Sequence, residues 1–124
     1  MLDTLPRPRV APAPRLVFGQ FSFDRGSRLL RRDDAVLAVP PRVLAVLELL
    51  LEHGGEVVSK QTLIETVWKD AFVTDTSLAE AVSVLRQTLG DDPQSPAFIQ
   101  TVHRRGYRFI AAVSTVPPTP AVLP

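Results

Sequence analysis

The sequence predicts an α+β domain that begins with a small antiparallel sheet, continues through three helices and ends in a β-hairpin. Three patterns predict it. Apolar and polar residues alternate near the N-terminus, apolar residues recur at helical spacing in the middle, and two β-prone runs flank a basic tip near the end. A chain of 124 residues, 45% hydrophobic and 22% charged, can bury one core and fold as one domain.

Prolines set the predicted limits of this domain. Four of them lie in the first fifteen residues and four more in the last eight. Because proline lacks the backbone N–H and has a fixed φ, such segments do not sustain regular hydrogen-bonded structure. We expect residues 1–15 to be a Pro-rich tail, residues 16–113 to be the folded domain, and residues 114–124 to be a Pro-rich tail or linker.

The N-terminal part contains the strand candidates. Residues 16–23 alternate apolar and polar side chains, with Gly19 shifting the phase, which indicates one strand with a bulge or two short strands. Residues 28–31 and 36–39 are shorter candidates joined through a turn at Asp33 and Asp34. Together they predict a small antiparallel sheet.

Three helices are predicted next. The first begins at Pro40-Pro41 and ends at Gly54-Gly55, and the second has Ser59 as its N-cap. The third covers about residues 75–89, contains a capping-box pattern from Ser77 to Glu80, and ends at Gly90. The apolar side chains expected on the core faces are Val43, Leu44, Leu47, Leu50, Leu51, Leu63, Ile64, Val67, Trp68, Leu78, Val82, Leu85 and Leu89.

The third helix presents a slim polar face opposite its core stripe. At about 100° per residue this face carries Thr76, Glu80, Ser83 and Gln87, flanked by Val84. Short and hydrogen-bonding side chains of this kind fit a DNA major groove, where Gln pairs with adenine, Glu accepts from cytosine and Val contacts a thymine methyl. A solvated outer helix face is the alternative interpretation.

The hairpin at residues 98–110 carries the densest basic patch of the folded part. His103, Arg104, Arg105 and Arg108 lie in it, and no acidic residue occurs from Phe98 to Val113. Arginines on a projecting tip suit contact with phosphates or a narrow minor groove, although a solvated charged turn is also possible. Strand alternation predicts that Tyr107 and Phe109 share one face and that Arg108 points the other way.

Composition argues against several other classes. The chain has no cysteine, its two histidines lack ligand spacing, and no phosphate-binding loop or nucleophile–base pair is found, so we expect no metal, no cofactor and no enzyme. No apolar run approaches membrane-spanning length and the start lacks a secretory signal, so we expect a cytoplasmic protein with no membrane segment. A net charge of +1 does not by itself indicate a nucleic-acid partner.

Five segments in order resemble one family. They are Phe18-Gly-Gln-Phe-Ser-Phe-Asp24, residues 56–63 ahead of Trp68, residues 73–78, Leu85-Arg-Gln-Thr-Leu-Gly-Asp-Asp92, and residues 99–109. The sequence thereby resembles the winged helix-turn-helix domain of OmpR/PhoB-type regulators, and most closely the ToxR/CadC-like branch. The resemblance implies a four-stranded N-terminal antiparallel sheet, three helices of which the third is the recognition helix, and a C-terminal β-hairpin wing.

The resemblance also implies roles for individual residues. By position it places Thr76, Glu80, Ala81 and Val84 opposite bases, to which the helix face adds Ser83 and Gln87. Those implied or expected to contact the DNA backbone are Trp68, Ser77, Arg86, Thr101, Tyr107 and Arg108, with His103, Arg104 and Arg105 forming the wing tip. The loop implied to face RNA polymerase consists of Lys69, Asp70, Ala71, Phe72, Val73 and Thr74. Trp68 is also a core candidate, and Arg86 is also a candidate for a salt bridge to Glu65 or Asp70.

Sequence-specific binding of double-stranded DNA in transcription regulation is therefore the leading functional prediction. The recognition helix would enter the major groove, and wing residues 102–107 would lie on the minor groove or backbone. The resemblance implies action in pairs on repeated half-sites and a family context of phosphorelay signal transduction, although we find no receiver-type acidic pocket. The alternative is a winged helix module that binds protein rather than DNA.

Overall fold

The computed structural model describes residues 15–69 and 73–116. The three helices are α1 (Pro41–Glu52), α2 (Lys60–Val67) and α3 (Asp75–Leu89). The strands are β1 (Arg15–Phe18), β2 (Phe21–Asp24), β3 (Leu29–Arg32), β4 (Ala35–Leu37), β5 (Val57–Ser59), β6 (Ile99–Val102), β7 (Gly106–Phe109) and β8 (Ser114–Val116). They form a five-stranded sheet in the order β4-β3-β2-β1-β8 and a three-stranded sheet in the order β5-β7-β6. The predicted α+β architecture with a C-terminal hairpin is confirmed.

The N-terminal sheet contains the predicted strands as an antiparallel meander. Gly19 lies in the turn between β1 and β2 with φ of 59°, so the run over residues 16–23 is two strands rather than one bulged strand. The same pairing continues from β2 to β3 and from β3 to β4. Their inner faces supply Phe18, Phe21, Phe23 and Leu30 to the core, each no more than 4% exposed.

The sheet has one strand more than the resemblance implied. Residues 114–116 form β8, which pairs antiparallel with β1 so that Arg15 lies opposite Val116 and Val17 opposite Ser114. This strand lies beyond the folded limit expected at Val113, in a segment that its composition had indicated to be a tail. A strand so short takes its stability from the partner that it pairs with, and local composition does not reveal that partner.

The first two helices begin as predicted. Pro41 occupies the first turn of α1, where no intrahelical partner for its missing N–H is needed. At α2 the Ser59 hydroxyl accepts a hydrogen bond from the Thr62 N–H at 3.0 Å, which makes Ser59 the N-cap. Of the predicted core side chains, Ile64 and Val67 are half-buried and pack against the core, and all the others are buried.

The start of α3 differs from one prediction. The helix begins at Asp75 after Thr74, whose side chain makes no cap hydrogen bond, so Ser77 lies within the first turn and the capping box is wrong. The first residue of the helix instead carries a carboxylate, which the positive end of the helix dipole favours. The helix ends as expected at Gly90, which has left-handed φ and ψ of 70° and 31°.

A phenylalanine cluster joins the two sheets. Phe18 of β1 packs edge-on against Phe109 of β7 with ring centroids 5.1 Å apart, and Phe21 of β2 packs edge-on against Phe98 at 5.5 Å. Helix α1 packs against both α2 and α3. The three-stranded sheet β5-β7-β6 and the helices therefore share one core with the N-terminal sheet. None of the helices formed by the described residues is both long enough and apolar enough to cross a membrane.

A carboxylate fixes the connection from α3 to β6. Asp91 Oδ1 accepts hydrogen bonds from the N–H groups of Ala97 and Phe98 at 2.7 and 3.2 Å, and Oδ2 accepts one from Ile99 at 2.9 Å. The preceding loop is folded back by Asp92, which accepts from the Gln94 N–H at 2.9 Å. The start of the hairpin is thus held directly beside the end of α3.

Candidate nucleic-acid interface

The hairpin turn presents three basic side chains to solvent. Val102 pairs with Gly106, so His103, Arg104 and Arg105 form the turn, and all three are exposed. The Arg105 N–H donates to the Val102 carbonyl at 2.9 Å, and Arg104 adopts a positive φ of 65°. In the described part of the chain none of the three side chains makes an ion pair. Their charges are available to an external anion.

Gly106 fixes the base of this turn against β5. A Cβ at this position would lie 1.9 Å from the Val58 carbonyl oxygen and 2.9 Å from the Ser59 Cα, so only glycine allows the two backbones to approach this closely. Its φ of 155° also lies in the region that L-residues rarely adopt. The turn therefore projects from a three-stranded sheet rather than from an isolated hairpin.

Lys60 connects the turn to the start of α3. Its backbone N–H donates to the Arg105 carbonyl at 3.4 Å, and its Nζ lies 3.7 Å from Oδ2 of Asp75, the first residue of α3. The basic turn and the N-terminus of α3 thus contact a single residue at the start of α2.

Arg86 connects the C-terminal half of α3 to the hairpin. One terminal nitrogen donates to the Thr101 hydroxyl at 2.9 Å and to the Ile99 carbonyl at 3.1 Å. From the sequence, Arg86 is expected either to contact a phosphate or to form a salt bridge to Glu65 or Asp70. Glu65 accepts from Gln61 instead, and Asp70 lies outside the described residues. The partner of Arg86 within the described chain is β6.

The outward face of α3 carries most of the side chains predicted for it. Five of these residues are exposed: Thr76, Glu80, Ser83, Val84 and Gln87. Val84, the one large apolar residue among them, is 37% exposed. Ser77, predicted to reach the backbone, is half-buried on the flank, and Thr101 on β6 is exposed. The polar face of α3 is thus open to solvent, as is the basic turn of the hairpin.

Ala81 does not belong to that face. It is only 6% exposed and lies within the core cluster, so the base-facing position implied by the resemblance is wrong for this residue. The geometry of the helix explains the burial. Ala81 is three residues from Leu78 and four from Leu85, which puts all three side chains on the core stripe.

Two aromatic residues predicted to contact the DNA backbone are buried. Trp68, at the C-terminal end of α2, is 6% exposed and packs in the core, with the Arg42 guanidinium 5.9 Å from its ring centroid. Tyr107 is 7% exposed on the face of β7 that packs inward with Phe109. The core interpretation of Trp68 is therefore the one that burial supports, and Tyr107 is chiefly a packing residue.

Arg108 lies on the outer face of the hairpin sheet. It is half-buried and donates a hydrogen bond to Gln100, which is opposite it in the β6–β7 register. Tyr107 and Phe109, its neighbours in sequence, are buried on the other face, as strand alternation predicted. Arg108 therefore points away from the core. Thr101, which is paired with Tyr107, lies on the opposite face of the sheet from Arg108.

The environment of Tyr107 perturbs its acidity. Burial raises the pKa of the phenol above its ordinary value, the nearby Arg86 guanidinium opposes this by lowering the pKa, and the Asp75 carboxylate raises it further. The phenol is thus neutral at any physiological pH. The two charges that act on this phenol, those of Arg86 and Asp75, both belong to α3.

The loop between α2 and α3 is described only in part. Lys69 and Thr74 are exposed and Val73 is half-buried against the core, whereas Asp70, Ala71 and Phe72 lie outside the described residues. Lys60 has no local sequence pattern that predicts its role, because its two contacts are with Asp75 and Arg105, 15 and 45 positions away. Among the described residues no group of three or more His, Asp or Glu side chains could hold a metal ion.

Comparison with known proteins identifies the family. The family model described as "Transcriptional regulatory protein, C terminal" matches residues 34–109, which is more than half of the chain. The matched segment contains α1, α2, α3 and both strands of the hairpin. The family that matches is one of transcription regulators, not of enzymes.

Individual relatives agree with this match. The transcriptional regulator HilA of Salmonella typhimurium is 40% identical over 118 residues, covering 91% of this chain and 21% of HilA. The chain therefore spans about a fifth of the length of that relative.

Solved structures share the fold. The DNA-binding domain of CadC from Escherichia coli superposes with a TM-score of 0.71 and 32% identity, covering 85% of this chain and 99% of that domain. The DNA-binding domain of RstA from Klebsiella pneumoniae, crystallised in complex with the RstA box, has a TM-score of 0.69 and 26% identity, covering 77% and 96%. The chain belongs to the family of transcriptional regulatory protein C-terminal domains, as an OmpR/PhoB-type winged helix-turn-helix domain of the ToxR/CadC-like branch.

Proposed function

We propose that this domain binds double-stranded DNA in a sequence-specific manner and acts in transcription regulation. Helix α3 enters the major groove while the wing turn, His103–Arg105, lies on the adjacent minor groove or backbone. The observation that carries the proposal is that Lys60 contacts both the basic turn and the start of α3, while Arg86 joins α3 to β6, so the exposed polar helix and the basic turn are connected directly. Membership of the family supports the same function.

The proposed contacts follow from exposure and charge. The residues proposed to face bases are Thr76, Glu80, Ser83, Val84 and Gln87, all of them exposed on α3. The residues proposed to contact the backbone are Ser77, Thr101 and the three residues of the wing turn. Base edges then specify the sequence, whereas the wing supplies most of the sequence-independent affinity, because the cationic side chains lie there.

The experiment that tests the proposal is the salt dependence of binding to duplex DNA, measured by fluorescence anisotropy. Binding by the unaltered protein should weaken steeply as salt rises, because each cation that contacts a phosphate releases condensed counterions. Arg104→Asn together with Arg105→Gln should weaken binding to all sequences and reduce the slope of log K against log salt by about two. Asparagine is chosen at position 104 because it tolerates the positive φ found there.

Arg31→Gln with Arg32→Gln is the matched control, since it removes the same charge from β3 in the N-terminal sheet. We expect this control to lower affinity only slightly and to leave the salt slope unchanged. A wing variant that binds as tightly as the unaltered protein would remove the wing from the mechanism. Failure of every duplex to bind at low salt would favour the protein-binding alternative.

The loop between α2 and α3 lies outside the proposed DNA contacts. The loop Lys69–Thr74 is proposed to face RNA polymerase, on the strength of its position after α2 and of the exposure of Lys69 and Thr74. Substitution of Lys69 by Ala should then lower transcription from a target promoter without changing DNA affinity.

Pairs of domains are proposed to occupy repeated half-sites, so duplexes selected from a random pool should contain a motif repeated at about one helical turn.

A further inference from the structure

Glu80 is the one acidic side chain at the centre of the exposed face of α3. It is exposed, and among the described residues its carboxylate takes part in no ion pair and accepts no side-chain hydrogen bond. The residues three and four positions away, which are its neighbours on the helix surface, are Thr76, Ser77, Ser83 and Val84. None of them carries a charge, so the helix itself does not neutralise Glu80.

The other two charged residues of α3 are already engaged. The Asp75 carboxylate lies 3.7 Å from the Lys60 ammonium, and the Arg86 guanidinium is hydrogen-bonded to Ile99 and Thr101 on β6. The face of α3 that is proposed to enter the groove therefore carries one negative charge and no positive charge. An arginine or lysine that could bind the O6 and N7 of guanine is absent from the exposed face of α3.

A carboxylate in a major groove selects among base edges by hydrogen-bond polarity. It only accepts hydrogen bonds, so it is repelled by the acceptors that guanine and thymine display and attracted to the amino groups of cytosine and adenine. Adenine places its N7 acceptor beside its amino group, where it would oppose a second carboxylate oxygen. Cytosine places no acceptor there, and it is the base that a carboxylate matches best.

We infer that Glu80 is a specificity-determining residue that selects a C·G base pair through the cytosine amino group and lowers the affinity of α3 for other DNA. The inference rests on the proposed function, because it assigns a role within the same groove-binding mode. An unneutralised carboxylate held among phosphates raises the free energy of every complex. In the matched complex alone the cytosine amino group offsets this repulsion.

The substitution Glu80→Ala separates the two effects. Alanine is the best helix former and Glu80 is exposed, so the variant keeps α3. Its affinity for a duplex of random sequence should rise about threefold to tenfold at low salt, because about 1 kcal/mol of repulsion between close charges in water is removed. Glu80→Gln should show the same rise while keeping a carbonyl acceptor for the amino group. Asp34→Asn is the control, since it removes a negative charge from the exposed turn between β3 and β4.

Selection from a random duplex pool, followed by affinity measurement, gives the decisive readout. The unaltered protein should select one C·G pair that, changed to T·A, costs about tenfold or more in affinity. Glu80→Ala should recover the rest of the motif and lose this preference, and Asp34→Asn should keep it. If Glu80→Ala selects the same motif with undiminished preference at every position, the inference is overturned and DNA binding stands. If the unaltered protein prefers no duplex, the proposed function fails as well.

Discussion

The Arg86 guanidinium donates a hydrogen bond to the Thr101 hydroxyl at 2.9 Å and so joins α3 to β6. The same nitrogen also donates to the Ile99 carbonyl, and neither contact involves an acidic partner. Arg86, which the family resemblance implies to contact a phosphate, therefore already donates hydrogen bonds to β6 within the protein. The wing and α3 are held in a defined relative placement before any ligand binds.

Arg86→Ala should reduce the free energy of unfolding by about 2 kcal/mol, since two hydrogen bonds from a charged donor are lost, one part-buried and one exposed. Thr101→Val should cost about 1 kcal/mol, because it removes one of the two acceptors. The double variant should be less destabilised than the sum of the two, since they share a bond. Urea unfolding followed by the fluorescence of Trp68, the one tryptophan of the chain, provides the measurement. Strict additivity would show that the bond contributes nothing.

Gly106→Ala should be among the most destabilising single substitutions in the domain. The added Cβ would lie 1.9 Å from the Val58 carbonyl oxygen, so β5 and β7 would have to separate, and we expect a loss of about 4 kcal/mol or an unfolded protein. Gly55→Ala is the matched control, since Gly55 has a positive φ of 84° and open space around it. It should cost only about 1 kcal/mol of backbone strain. Equal losses of stability in thermal unfolding would show that backbone conformation, not the close approach, requires the glycine.

Asp91→Ala should destabilise the domain by about 2–4 kcal/mol, because three backbone N–H groups lose a charged acceptor. Asp92→Ala, next in the chain, removes the acceptor of one exposed N–H and should cost about 1 kcal/mol or less. Hydrogen exchange of the Ala97, Phe98 and Ile99 amides should accelerate only in the Asp91 variant. Unchanged protection of these amides would contradict the role given to Asp91.

The acidity of Tyr107 links stability to pH in the alkaline range. Burial raises the pKa of its phenol in the folded protein above the unfolded value of about 10, so the neutral phenol favours folding. This contribution is complete below about pH 10 and is lost as pH rises through the folded pKa. The chain has one tyrosine, so its phenolate absorbance can be titrated directly. Arg86→Ala should raise the pKa further, because the guanidinium lowers it. A downward shift in that variant would contradict the electrostatic assignment.

Local patterns predicted the features that local physics determines. The spacing of Leu78, Val82, Leu85 and Leu89 predicted the buried stripe of α3, and Ser59 and Gly90 predicted the ends of two helices. Each of these depends on residues within one or two helical turns. The alternation of Tyr107, Arg108 and Phe109 likewise gave the two faces of β7.

Other features depend on contacts between residues distant in the chain. The partners of Arg86 lie 13 and 15 residues away, and β8 pairs with a strand at the other end of the described chain. Ala81 was misassigned because its role came from a family position, although its spacing from Leu78 and Leu85 already puts it on the core stripe. For such residues the helical pattern of the sequence is the better guide.

The pairing of Arg15 with Val116 brings the entry and exit of the described chain to neighbouring positions on one antiparallel ladder. Neighbouring ends allow a domain to be inserted into, or suspended from, a larger protein without distortion. Tension applied between the two ends would unzip β8 from β1 one residue pair at a time before reaching the wing. Separation of β8 from β1 would leave the Lys60 and Arg86 contacts between the hairpin and α3 intact, because neither strand takes part in them.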